Sequence, residues 1–298
     1  MTPSPADAPT SSPRSRSLPG LAVLVVGLLL LSLSVAWLAA SGHTSVRYRA
    51  DSAETVEVWR RWVPALAGIA VVRLLPVRGR PAVVGSSSEP AARREGLVLV
   101  AIAVVFAVGL HAAGGGEPAH TAGKLALLVA LPLLVLRRRR RRGTAWRAAV
   151  VTGSRRWRLA GPVVALLAWG LLAFASPLAM PGGDLASTVT LAELVATVVV
   201  GFLVNAVVEE VFYRRWLLSR VQAWLGPWPA IVLSSLLWSV WHAAIQGTGD
   251  LGLDVPSALV THMPLGVFLG CLWSRYRRMW PLLAAHGAVN SLGLFVGT

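Results

Sequence analysis

The residues most able to do chemistry in this sequence lie inside its apolar C-terminal segments. Two adjacent glutamates, Glu209 and Glu210, interrupt the stretch "NAVVEEVFYRRWLL", and His242 ends the stretch "WSVWH". The last apolar segment carries His286 and Asn290 in "HGAVN". Because an ionisable side chain inside a membrane span costs about 2.5–3.5 kcal/mol on insertion scales, each of these residues needs a functional or structural explanation.

The spacing of these residues predicts that they converge. Sixteen residue steps separate Glu210 from Gly226, and sixteen more separate Gly226 from His242, with helix-breaking residues in "LGPWP" between them. Two antiparallel helices joined at that point would each run about 24 Å, so that His242 returns to the level of the glutamates. The spacing therefore predicts a site inside a helical hairpin.

The last apolar segment adds a second pair of polar side chains. His286 and Asn290 are four residues apart, so both lie on one helical face. Their helix follows Arg278, which places His286 at a depth similar to that of Glu210. Trp238 lies one turn before His242 on the same face and would form an aromatic wall for a substrate.

The elements that must position these residues are membrane-spanning helices. The chain of 298 residues is 55% hydrophobic and only 14% charged, with a mean hydropathy of +0.64. The chain therefore has more apolar surface than one soluble core could bury. Apolar windows of suitable length recur along the chain and predict an all-α, polytopic membrane protein with about eight or nine spans. The candidate site belongs to the C-terminal helix bundle.

The arginines indicate how the chain is oriented in the membrane. The net charge is +15, and the arginines cluster before the first span and in alternate loops, including the run at 137–142. The loops between them, such as "GGGEPAHTAG" and "QGTGDLGLD", contain none. This asymmetry predicts a multi-pass protein of the cell membrane with a cytoplasmic N-terminus. We expect the arginines to contact anionic lipid headgroups and not nucleic acid. The mixed charges of residues 42–62 do not fit the asymmetry.

Composition divides the chain into three parts. Residues 1–18 are rich in Pro, Ser and Thr and predict a disordered cytoplasmic tail. Residues 19–158 form an N-terminal transmembrane region that ends in the arginine-rich loop, and residues 159–298 carry the candidate site. The only cysteine, Cys271, excludes an intramolecular disulfide and a multi-cysteine metal site.

Three motifs in the C-terminal part resemble those of a known family. "EEVFYR", "WSVWH" and "HGAVN" are similar to the E-E-x-x-x-R, F-x-x-x-H and H-x-x-x-N motifs of the CPBP intramembrane proteases, which include the type II CAAX prenyl endopeptidases. All polar positions match, and Trp238 replaces the usual phenylalanine. The resemblance covers about residues 185–298.

The resemblance implies a mechanism and a role for each residue. Glu209 would be the general base that deprotonates a water held with His242, and Arg214 would pair with Glu210. His286 and Asn290 would donate hydrogen bonds to the oxyanion. The enzyme would be a glutamic protease without a cofactor. A zinc protease is the alternative, because Glu209, His242 and His286 could bind the metal although H-E-x-x-H is absent.

Several alternatives accompany this hypothesis. The two glutamates could form a structural ion pair with Arg214 and Arg215 at the membrane surface. The protein could also be a catalytically silent immunity or scaffold protein, or a proton-coupled transporter, which would also bury Glu and His. The arginine-rich, alanine-rich composition suggests a bacterial protein. The substrate would then be a peptide to be matured or a C-terminal membrane anchor in preference to a prenylated CAAX protein. We assign no chemistry to Glu193 or to the remaining histidines, which are interpreted as packing or boundary residues. These histidines are His43, His111, His120 and His262.

Overall fold

The computed structural model describes residues 18–47, 54–75, 89–143, 146, 155–179 and 189–291, and the described chain is almost entirely helical. The predicted tail at 1–18 lies outside the described residues except for Leu18. The helices are α1 (Leu18–Ala40), α2 (Val58–Leu74), α3 (Glu89–Ala112), α4 (Ala119–Arg141), α5 (Arg155–Phe174), α6 (Leu191–Leu225), α7 (Pro227–Gln246), α8 (Leu251–Tyr276) and α9 (Met279–Ser291).

Six of these helices are long and apolar enough to cross a membrane: α1, α3, α4, α6, α7 and α8. In α5 only the shorter stretch Arg158–Phe174 is apolar, and α2 and α9 have 17 and 13 residues. The chain is therefore a polytopic helical membrane protein, as its composition predicts, and the span count of eight or nine stays a prediction. Large apolar side chains along the outward faces of α1 and α6 are exposed, as is expected for surfaces that face lipid.

A short β-hairpin follows α1, in the region where the sequence predicts only a charged loop. Strand β1 (Ser45–Arg47) pairs antiparallel with β2 (Thr55–Glu57), with Val46 opposite Val56. Each strand alternates polar and apolar residues, so the two valines share one face and are buried. Val46 packs on Leu38 of α1 and Val260 of α8.

The arginines around this hairpin make specific contacts with backbone carbonyls. Arg47 donates to the carbonyl oxygen of Gln246, Arg60 donates to those of Pro177 and Ala179, and Arg61 donates to that of Thr261. These contacts explain why residues 42–62 carry positive charge outside the arginine-rich loops. In the folded protein these arginines bind backbone carbonyls of α7, of α8 and of the segment after α5.

Helix α8 is the central helix, with 78% of its most apolar window buried, and two prolines lie within it. A proline has no N–H and leaves the carbonyl four residues earlier without its helical partner. Pro256 thereby frees the carbonyl of Gly252, and Trp37 of α1 donates to it over 2.9 Å. Pro264 frees that of Val260, and Trp62 of α2 donates to it over 2.9 Å. The prolines of α8 therefore create the acceptors that attach α1 and α2.

The hairpin predicted at "LGPWP" is present. Helix α6 ends at Leu225, Gly226 turns the chain with φ 88° and ψ 175°, and α7 begins at Pro227. Only glycine tolerates that backbone conformation readily, and proline is well suited to the first position of a helix. The turn thus folds α7 back along α6, as the site requires.

Candidate active site

The carboxylate of Glu209 is held at both oxygens. The Lys124 ammonium donates to Oε1 over 2.6 Å, and the indole N–H of Trp238 donates to Oε2 over 2.6 Å. Glu209 is only 2% exposed. Since each carboxylate oxygen has two lone pairs, these two bonds fix the carboxylate and still leave acceptor capacity for a further donor.

The neighbouring carboxylate, Glu210, has its own partners. Arg214 Nη1 donates to Oε1 over 3.0 Å, and His286 Nδ1 lies 2.8 Å from the same oxygen. Glu210 and Arg214 are both fully buried. The ion pair that the resemblance implies is therefore present, one turn apart on α6. With Lys124 beside Glu209 and Arg214 beside Glu210, two cations balance two carboxylates.

Sequence reasoning missed Lys124 and Asn205. Lys124 lies on α4, in the N-terminal transmembrane region, and its Nζ also donates to Asn205 Oδ1 over 2.6 Å. Asn205 lies one turn before Glu209 on α6. The signal that could have found Lys124 is plain, because it is the only lysine of the chain and lies in an apolar helix. A cation in such a place is a candidate functional residue by default.

His242 presents one ring nitrogen as an acceptor. Its Nδ1 lies 3.0 Å from the carbonyl oxygen of Trp238, and a carbonyl oxygen can only accept. The proton of neutral His242 therefore resides on Nδ1, and Nε2 keeps its lone pair. The ring stacks between Trp241 and His262, with centroids 3.8 Å and 3.7 Å away. These two rings leave His242 little freedom to rotate.

His262 is a buried, hydrogen-bonded histidine, as the sequence suggests. Its Nε2 lies 2.8 Å from Gln246 Oε1, on the short turn of helix that His242 begins. The sequence does not reveal its position directly against the ring of His242. His262 thus supports the site without making a described contact with either glutamate.

His286 joins the two glutamates from α9. Its Nδ1 bonds with Glu210, while its Nε2 lies 3.8 Å from Glu209 Oε2. Asn290 follows one turn later, is half-buried, and makes no side-chain hydrogen bond with any other described residue. Trp238 lies between the histidines, with its ring 5.2 Å from that of His242 and 5.5 Å from that of His286.

The predicted convergence of Glu210, His242 and His286 is thus present around Trp238. The sequence predicts Trp238 as an aromatic wall for a substrate. In the structure its indole is buried and donates a hydrogen bond directly to Glu209. Two of the helices are also locally widened at the site, with π-helical segments that begin at Lys124 and at Glu210. Such segments are frequent at functional sites.

The arrangement does not suit a resident metal ion. Within the described part of the chain, no three His, Cys, Asp or Glu side chains form a group that could hold one. Glu209 is one of the three ligands in the zinc alternative, and it has an ammonium at one oxygen and an indole N–H at the other. A fixed positive charge at 2.6 Å from a ligand oxygen opposes the binding of a dication.

Comparison with known proteins supports the family that the motifs suggest. Residues 190–292 match the family model described as type II CAAX prenyl endopeptidase Rce1-like. We call this matched segment the Rce1-like domain. It is consistent with the CPBP family and includes every predicted site residue. Searches of curated proteins and of solved structures found no significant match.

The match supports a CAAX-type intramembrane protease, in agreement with the apolar helices of a multi-pass membrane protein. The match contains α6, α7, α8 and α9, the four helices that carry the glutamates, His242, His262 and His286. Lys124 lies outside it, on α4. The family resemblance therefore accounts for most of the site and not for the cation bound to Glu209.

The remaining sequence interpretations concern residues away from this site. Glu193 forms a capping box with Thr190 at the start of α6. Cys271 is buried in the core of α8, as a packing residue would be. His120 lies near Trp241 with a ring separation of 5.6 Å and bonds to Glu117. None of these contacts reaches a glutamate of the site.

Proposed function

We propose that this protein is an intramembrane endopeptidase that hydrolyses a peptide bond with a water activated by Glu209. The observation that carries the proposal is the Glu209 carboxylate, buried, fixed at both oxygens and set beside Trp238, next to His242 and His286. A carboxylate held in this way has lost most of its rotational freedom before substrate arrives. Such preorganisation is what an efficient general base requires.

The proposed nucleophile is a water that donates one O–H to Glu209 and the other to Nε2 of His242. Both groups are acceptors, because Glu209 is ionised and His242 carries its proton on Nδ1. A water that uses both protons in this way directs its oxygen lone pairs away from the protein. As the oxygen attacks the peptide carbonyl carbon, Glu209 takes the proton, and it later returns this proton to the leaving amine.

His286 and Asn290 are proposed to stabilise the oxyanion that forms in this attack. Asn290 can donate from its side-chain amide. His286 already uses the proton on Nδ1 toward Glu210, so it can donate from Nε2 only when both nitrogens are protonated. The proposed oxyanion site therefore combines the Asn290 amide with His286 in its doubly protonated form.

The proposed reaction needs no metal ion. A dication on Glu209 would lie beside the Lys124 ammonium bonded to the same carboxylate, and no group of three described donors offers a site. His286 and Asn290 are proposed to stabilise the oxyanion in place of the Lewis acid of a zinc protease.

The proposed substrate is a peptide or protein anchored in the same membrane. The site residues are almost completely buried among spans, so a substrate that already lies in the bilayer reaches them more directly than a soluble chain. A peptide undergoing maturation or a C-terminal membrane anchor fits this description without a prenyl group. We further propose that cleavage takes place toward the cytoplasmic side of a bacterial cell membrane, where the arginine asymmetry places the loops that border the site.

The experiment that tests the function compares Glu209→Gln with Glu193→Gln. Both variants change one glutamate of α6 to its amide, but Glu193 only caps the start of the helix, where glutamine can replace it. New protein termini would be quantified by mass spectrometry in membranes of cells that express each variant. We expect termini that appear with wild type and Glu193→Gln and are nearly absent with Glu209→Gln.

Three outcomes would contradict this proposal. Equal release of the same termini by Glu209→Gln would show that another group activates the water. No termini dependent on the wild-type chain would instead support a catalytically silent scaffold. The assay is repeated with a zinc chelator, which should leave cleavage unchanged. Reversible loss of cleavage would favour the metal-bound water.

A further inference from the structure

The cation bound to Glu209 comes from outside the Rce1-like domain. Lys124 is fully buried on α4, in the N-terminal transmembrane region, 85 positions before its partner Glu209. Burying an ammonium inside a membrane protein is unfavourable unless its donors are satisfied. Here two donors bond with Glu209 and Asn205, and the face of Trp241 lies 4.8 Å away. These three neighbours stabilise the buried ammonium.

Lys124 is one of two donors that fix the Glu209 carboxylate. Its Nζ approaches Oε1, while Trp238 approaches Oε2, so the two donors hold the carboxylate from two directions. Asn205 holds the ammonium in turn, from one turn earlier on the same helix as Glu209. Two of the three N–H donors of Lys124 are used and the Trp241 ring lies over the ammonium, so Lys124 is poorly suited to bind the substrate itself.

We propose that Lys124 is a positioning residue of the reaction, which orients the Glu209 carboxylate toward the water and supplies its counter-charge. The inference rests on the proposed function, because it assigns Lys124 a part in the same hydrolysis. It also gives the N-terminal region a role in catalysis, since α4 delivers the cation that the Rce1-like segment lacks at this carboxylate. Asn205 belongs to the same device as the residue that holds Lys124.

The first test measures whether Lys124 and Glu209 are coupled, without any substrate. Thermal unfolding in detergent is compared for Lys124→Met, Glu209→Gln and the double variant. Lys124→Met leaves a buried carboxylate without its cation, so we expect the melting temperature to fall by about 5–10 °C. The double variant should recover most of this loss, because it removes both charges. A loss in the double variant equal to the sum of the single losses would overturn the coupling.

The second test measures the role in the reaction. A positioning residue acts on the water-activating group and not on substrate binding, so Lys124→Met should lower kcat about 100-fold with KM nearly unchanged. Asn205→Ala, which keeps the ion pair and loses only its support, should give a smaller decrease in kcat. Ser239→Ala, a buried serine of α7 that bonds only to its own helix, is the matched control and should retain wild-type kcat.

The outcomes separate this inference from the proposed function. Coupled melting temperatures with unchanged kcat in Lys124→Met would make the pair purely structural and overturn the inference, while the protease reading would stand. A rise in KM alone would place Lys124 in substrate binding and also contradict it. If the wild-type protein cleaves nothing, the proposed function is overturned, and so is any role of Lys124 in hydrolysis. The unfolding measurements would still report on the ion pair in that case.

Discussion

At the scale of single residues, the site is a set of paired charges around one indole. Trp238 donates to Glu209, and its ring lies beside those of His242 and His286. Its face also lies 4.6 Å from the Arg214 guanidinium. Replacing the phenylalanine of the family pattern by tryptophan therefore adds an N–H donor to the base, which phenylalanine could not provide.

Asn290 is the proposed oxyanion donor without a described partner, and a substitution can measure its contribution. Asn290→Ala should lower kcat about 100- to 1000-fold, or about 3–4 kcal/mol, because one oxyanion donor is lost. The effect should be milder than that of Glu209→Gln. Ser291→Ala, which alters the next polar residue of α9, serves as the control. The measurement is kcat on a peptide identified from the released termini, and an unchanged rate for Asn290→Ala would remove it from the oxyanion site.

At the scale of elements, the α6–α7 hairpin and the prolines of α8 position the site. The hairpin carries both glutamates on one arm and Trp238 and His242 on the other. The carbonyls freed by the prolines of α8 accept hydrogen bonds from tryptophan N–H groups of α1 and α2. Within α8, the ring of His262 stacks on that of His242. Local backbone breaks in the sequence thus determine which helices become neighbours.

The turn at Gly226 offers a test at this scale. Its φ of 88° and ψ of 175° are accessible essentially to glycine alone, so Gly226→Ala should lower the free energy of unfolding by about 1–3 kcal/mol. Gly109→Ala is the control, since Gly109 lies in α3 with an ordinary helical backbone and space around it. Alanine there should be neutral or stabilising by up to about 1 kcal/mol. Thermal unfolding in detergent measures both, and equal melting temperatures would contradict the argument.

At the scale of the whole molecule, the two halves of the chain are joined by buried ion pairs. Lys124 of α4 bonds with Glu209, and Glu95 of α3 bonds with Arg220 at 2.6 Å. Glu95 also accepts from the backbone N–H of Trp146, in the arginine-rich region. Although residues 19–158 carry no recognisable motif, they therefore complete the surroundings of the Rce1-like domain.

Contacts between helix ends also agree with the arginine asymmetry. Arg73 of α2 lies over Trp228, and Arg93 of α3 lies over Trp224, both beside the α6–α7 turn. At the opposite ends of the helices, Trp37 reaches Gly252 and Arg47 reaches Gln246. The described chain thus has one end that gathers the arginine-rich segments and one that gathers the glycine-rich loops.

The orientation of these two ends is a prediction for the intact cell. Single cysteines at exposed positions 252 and 141 would be introduced as Gly252→Cys and Arg141→Cys after Cys271→Ala. An impermeant thiol reagent should label position 252 from outside the cell and position 141 only after the membrane is opened. Labelling of position 252 only from the cytoplasmic side would reverse the topology.

The sequence by itself determines the class of this protein and most of its site. The lengths of the apolar segments and the placement of the arginines predict a polytopic helical membrane protein. Each span needs about 20 apolar residues, and burying a charge in the bilayer costs free energy. The turn at Gly226 and the three motifs predict that Glu210, His242 and His286 meet, and they do so around Trp238. Local spacing is sufficient here, since these residues lie on consecutive or neighbouring helices.

Only the tertiary structure decides which distant residues complete the site. Lys124 reaches Glu209 because α4 packs beside α6, and helix spacing within one segment carries no information about such a neighbour. The arginines of residues 42–62 appear misplaced in the sequence, and their carbonyl acceptors exist only once α8 and the loops are assembled. Side-chain hydrogen bonds act over about 3 Å, so they depend on the packing of helices that the chain order leaves open.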